Sequence, residues 1–153
     1  MDFLTMGCWA QKHSDAGSLV ALFMGGNGIG GGMVINGRLW TGASGYCSEV
    51  GFLPVYERLN KGSLGLPPAE HISELYARLI QIYAVTVNPH MMVLYRHPLL
   101  EGRLDEIRRL CASYLPSKAI PSIELSYDYQ QDYEKGLFTV AKSLEQAVSE
   151  GGL

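Results

Sequence analysis

The sequence predicts an α/β domain in which helices flank a mixed β-sheet. Three observations carry this. A glycine-dense hairpin joins two apolar runs early in the chain, and strands alternate with helices in the second half. Within each helical segment apolar residues recur at three- and four-residue spacing. At 153 residues and 47% hydrophobic content, residues 1–153 fit one domain with enough apolar side chains for a real core.

The elements follow in order. A helical segment is expected near Phe3–His13, broken by the turn residues Asp15-Ala16-Gly17-Ser18. A strand, Leu19–Met24, runs into Gly25, Gly26, Gly28, Gly30, Gly31 and Gly32. The apolar run Met33–Ile35, the hairpin dipeptide Asn36-Gly37 and a further strand around Arg38–Thr41 come next. Leu53–Pro68 reads as loop with a short strand at its start, marked by Asn60-Lys61-Gly62-Ser63 and Pro67-Pro68. Pro68 suits the first turn of a helix, where its missing N–H costs nothing. Ile72, Leu75, Tyr76, Leu79, Ile82 and Tyr83 then form one apolar helix face.

Met91–Tyr95 is a continuous apolar run suited to a buried parallel strand. A helix over Leu104–Tyr114 sets Leu104, Ile107, Leu110, Cys111 and Tyr114 on one face. Ile120–Leu125 gives another strand, with Pro121 at its beginning or on an edge. The last helix, Asp132–Val148, is expected to bury Leu137, Val140, Ala141, Leu144 and Val148.

Composition excludes several functions. A net charge of −3 and a pI near 5.8 leave no basic footprint, so this chain is not expected to bind nucleic acid itself. No apolar stretch approaches a membrane span and no signal peptide opens the chain, which fits a cytoplasmic protein. Cys8, Cys47 and Cys111 are odd in number and scattered, against a disulfide framework. With the four histidines they make no tetrahedral set, so no zinc site is expected. The glycine cluster is neither a P-loop, lacking Gly-Lys-Ser/Thr, nor a dinucleotide fingerprint, since it leads into a strand.

The block Gly26-Asn27-Gly28-Ile29-Gly30-Gly31-Gly32, Asn36-Gly37-Arg38-Leu39, Gly42-Ala43-Ser44-Gly45 and Ser48-Glu49-Val50-Gly51-Phe52 resembles the ROK family of sugar kinases and sugar-responsive repressors. Asn88-Pro89 before an apolar strand, and Gly136-Leu137 in the last helix, extend the resemblance over nearly the whole chain. It implies a ribonuclease H-like fold of the actin/hexokinase-like ATPase type, corresponding to the C-terminal half of a ROK protein. It also implies that Glu49 hydrogen-bonds sugar hydroxyls. Gly26, Asn27, Gly28 and Gly30 would be the remnant of a phosphate loop, whose backbone N–H groups carry most of that contact.

Departures from the family pattern shape the functional expectation. Phe52 replaces the family's His, and no downstream Cys-x-Cys-Gly-x-x-Gly-Cys run exists. Tyr95-Arg96-His97 stands where family kinases have Gly-Gly at the adenosine. Counting back from Trp9, the family's catalytic Asp falls just before Met1, so no catalytic residue is expected in this chain. The resemblance therefore implies the sugar-sensing and dimerisation part of a ROK-type transcriptional regulator. It would be a homodimer with a small sugar ligand, and DNA contact would come only through an upstream domain. The alternative is the same half of a sugar kinase using ATP and Mg; otherwise no cofactor is expected. Trp9 and Trp40 read as core or interface anchors, although the strand of Trp40 leads toward the presumed sugar loop. His71, His90 and His97 read as surface or helix-end residues.

Overall fold

The computed structural model describes residues 1–59 and 65–151. Helix α1 (Asp2–Lys12) precedes strands β1 (Ser18–Gly25), β2 (Gly28–Ile35) and β3 (Arg38–Leu39). Helices α2 (Pro54–Leu59) and α3 (Ile72–Thr86) follow, then β4 (Met91–Tyr95), α4 (Leu104–Tyr114), β5 (Ser122–Ser126) and α5 (Tyr129–Gly151). The sheet order is β3-β2-β1-β4-β5. The β1–β2–β3 meander is antiparallel, whereas β1, β4 and β5 run parallel. The domain is thus a mixed five-stranded sheet with flanking helices, as the sequence predicts.

Alternation along β1 builds two apolar layers. Val20, Leu22 and Met24 face α3 and α4, packing with Leu75, Leu79, Ile107 and Cys111. Leu19 and Ala21 face the other way, with Leu4 and Cys8 of α1. Helix α5 joins α1 on that second face. Tyr129 stacks near Phe23, and the Tyr95 hydroxyl donates to Asp132 at 2.6 Å. The crossing of α1 and α5 is made by small residues: a Cβ on Gly7 would overlap the Asp132 carbonyl, and one on Gly136 the Phe3 carbonyl. Asp132 is fully buried and also accepts from Gln11 (3.0 Å) and Lys12 (3.2 Å), so every charge taken from water there is paired.

Five expectations need correction. The strand after the glycine cluster begins at Gly28, not Met33, so most of the cluster lies inside β2. Glycine is a poor strand former, but here bare backbone is what lets neighbours approach. β3 ends at Leu39, short of Thr41. The start of the expected loop forms the helix Pro54–Leu59, with Pro54 at its first position and Tyr56 and Leu59 buried; Asn60-Lys61-Gly62-Ser63 lie outside the described residues. Pro68 precedes a single 3-10 turn, and α3 itself starts at Ile72. Finally, α5 does not bury the residues assigned to its inner face. Leu137 is 41% exposed, Leu144 61% and Val148 74%, and Ala141 is exposed too, because no element among the described residues covers that end.

Candidate functional site

Glu49 lies between β3 and α2, in a short segment folded by two successive tight turns. The Glu49 N–H donates to the Tyr46 carbonyl (3.3 Å), and the Phe52 N–H donates to the Glu49 carbonyl (3.2 Å). Ser48 takes φ +68, a backbone region costly for a non-glycine residue. The paired turns bring Tyr46 and Phe52, three residues to either side of Glu49, into ring contact at 6.0 Å between centroids. Tyr46 is 69% and Phe52 70% exposed, an unusual outlay of aromatic surface to water.

Beside this pair is a cavity of about 180 Å³ lined by Tyr46, Ser48, Glu49, Leu53, Ile82 and Tyr83, among others. Among the described residues no hydrogen bond or ion pair engages the exposed Glu49 carboxylate. Tyr83 reaches the site from α3. Burial pushes its phenol above the ordinary value, a hydrogen bond with Ser48 opposes the rise, and the charges of Cys47 and Glu49 add to it. The phenol therefore stays protonated and available as a donor at neutral pH. Among the described residues Glu49 is the one carboxylate lining the cavity, and no cationic side chain lines it.

The glycines have their own accounting. A Cβ on Gly31 would stand 2.8 Å from the Ser48 carbonyl oxygen and 3.0 Å from the Tyr83 hydroxyl. On the opposite face, Gly30 meets Met1 and Gly32 meets Thr5. Gly28 has φ +116, and a Cβ there would stand 2.6 Å from the Tyr56 hydroxyl, which donates to the Gly65 carbonyl. Gly26 and Asn27 form the exposed tip of the β1–β2 turn, with Gly25 paired to Gly28. That tip lies at the edge of the sheet where the parallel strands β1, β4 and β5 all end. It does not line the cavity of Glu49, from which it is separated along β2 by three to five residues, on the order of 10–15 Å.

Other residues singled out in the sequence take structural places. Tyr95 turns inward to Asp132, and Arg96 turns outward to Glu101 at 2.7 Å. The His97 ring accepts from the Leu99 N–H, the His90 ring pairs with the Ser18 hydroxyl, and His13 meets Glu124 at 3.3 Å. The Trp9 indole donates to the Ala16 carbonyl, whereas Trp40 is exposed and so is not a core anchor. Among the described residues no group of three His, Cys, Asp or Glu side chains is placed to hold a metal, and no helix is long and apolar enough to cross a membrane. The sequence reading named Glu49 but missed Tyr46 and Tyr83. Tyr83 came from a helix face read only as core, and Phe52 was seen only as a lost His.

The arrangement is a mixed α/β fold of the actin/hexokinase type. A ROK hexokinase from Thermus thermophilus superposes with a TM-score of 0.65 at 14% identity, over 95% of this chain and 64% of that one. A ROK family protein from Streptococcus pneumoniae TIGR4 in complex with sucrose gives 0.68 at 16%, over 95% and 65%. A Listeria monocytogenes protein described as a candidate N-acetylmannosamine kinase gives 0.69 at 17%, over 94% and 64%. The chain thus spans about 64% of the length of these structures. No curated protein matches it. The ROK family model matches residues 7–69, the stretch holding the glycine hairpin and Glu49.

Proposed function

We propose that this chain is the sugar-sensing part of a ROK-type transcriptional regulator and binds a neutral saccharide at Glu49 without chemistry. The supporting observation is the polar set around the cavity among the described residues: one carboxylate, the three hydroxyls of Tyr46, Ser48 and Tyr83, and apolar walls. Glu49 can accept from two sugar hydroxyls, while Ser48 and Tyr83 supply further hydrogen bonds. Phosphoryl transfer requires an oriented base, a metal and positioned phosphates, and among the described residues the cavity lining supplies no second carboxylate and no cation. On this reading the protein is cytoplasmic and homodimeric, needs no cofactor, and leaves DNA contact to a separate domain. Gly28 and Gly30 are kept for packing, against Tyr56 and Met1, more than for phosphate.

The likeness to a ROK hexokinase favours the second reading, half of a sugar kinase using ATP and Mg. One pair of measurements separates them. Under the sensing reading, neutral hexoses raise the melting temperature, Glu49→Gln abolishes the rise, and no ADP forms with ATP, Mg and hexose. Hexose-dependent ADP release would establish the kinase. Light scattering at micromolar concentration checks the dimer.

A further inference from the structure

Tyr46 and Phe52 expose about 70% of their surfaces, yet they are held in ring contact, tilted 53° to each other, by the two turns that meet at Glu49. Only Tyr46 of the two also lines the cavity; Phe52 extends the aromatic surface beyond its mouth. The cavity, at about 180 Å³, is smaller than the roughly 300–1,000 Å³ of sites for drug-sized ligands. It has room for one sugar ring and little else. A ligand with one ring against Glu49 must place whatever is attached to that ring over Tyr46 and Phe52.

We infer that the site takes a neutral glycoside, with one ring in the cavity and its aglycone or second ring stacked on Tyr46 and Phe52. The inference rests on the reading of Glu49 as a sugar-binding residue. The face of an aromatic ring carries negative charge density, which attracts the weakly positive C–H face of a sugar or the edge of an aryl group. The single carboxylate, with no cation lining the cavity among the described residues, repels sugar phosphates. Tyr46 and Phe52 are then specificity-determining residues. Phe52 cannot donate a hydrogen bond, but it gives the site a surface for the group beyond the first ring.

The test is calorimetric titration of the 153-residue protein with a hexose, its phenyl glycoside and its 6-phosphate. The phenyl glycoside should bind at least tenfold more tightly than the hexose, and the 6-phosphate more weakly than either. Phe52→Ala should bring the glycoside-to-hexose ratio close to one, Phe52→Trp should keep it, and Phe52→Leu should lose it, separating stacking from bulk. Equal binding of hexose and glycoside, or an unchanged ratio in Phe52→Ala, overturns the inference while leaving Glu49 as a sugar residue. No binding of either neutral saccharide, with Glu49→Gln indistinguishable from the parent, overturns the sugar reading itself and this inference with it.

Discussion

Helix α5 is held along Tyr129–Val140 and bare along Ala141–Glu150. In the first stretch Asp132 and Gly136 are buried against α1, and Tyr129 and Tyr133 stack at 6.2 Å with nearly parallel rings. In the second every residue is exposed, including Leu144 and Val148. The apolar spacing is the same in both. What differs is the neighbour: α1 runs antiparallel to α5, and its first residues, Met1–Phe3, reach no further than Gly136 and its surroundings. Helical periodicity states which face wants cover, and only the tertiary arrangement states which turns receive it.

Substitutions can break this contrast, beginning where the effect is largest. Asp132→Ala should cost about 3–5 kcal/mol in unfolding free energy by urea denaturation, since it removes the acceptor of the buried Tyr95 hydroxyl and of Gln11 and leaves Lys12 with Asp128 alone. A loss below about 1 kcal/mol would mean the network does not lock α1 to α5. Gly136→Ala should cost about 2–3 kcal/mol through overlap with the Phe3 carbonyl. Its sign is diagnostic, because on an uncovered helix the same change gains about 1 kcal/mol of propensity.

A kinetic comparison sharpens the picture. Cys8 is fully buried under the α1–α5 joint, and burial pushes its thiol up to about 12; Cys111 is held at about 11 by the same cause. Iodoacetamide at pH 8 should modify the half-buried Cys47 first, and Asp132→Ala should accelerate Cys8. The raised Cys8 value also sets a pH dependence. Its contribution to stability is full below the ordinary thiol value of 9.0 and lost as pH rises from there toward 12, measurable as a falling melting temperature. The smallest effect should be that of Leu144→Ala, within about 0.5 kcal/mol of the parent. A loss of 2 kcal/mol would show that the bare half is covered in solution.

Much of the fold was legible because it rests on period and punctuation. The Asn36-Gly37 turn, the face of α3 from Ile72 to Tyr83 and the strand Met91–Tyr95 all stand where their patterns place them. Gly28–Gly32 was illegible as strand because, Ile29 apart, it has no side chains of its own and Thr5, Ser48 and Tyr83 lie against its bare backbone. Pro54–Leu59 is too short to show a helical period. At the candidate site, motif order picks out Glu49, but the meeting of Tyr46 with Phe52 depends on the left-handed turn at Ser48, which no residue type there announces.

The glycine run of β2 makes the sheet thin at one place. The Ser48 carbonyl rests on one side of Gly31, and Met1 and Thr5 rest on the other side of Gly30 and Gly32, with one layer of peptide between them. The segment that carries Glu49 and the opening turn of α1 are therefore mechanical neighbours on opposite faces of one strand. A displacement of either, by a ligand or by a substitution, has no side chain in which to dissipate and must be absorbed by the strand or handed across it.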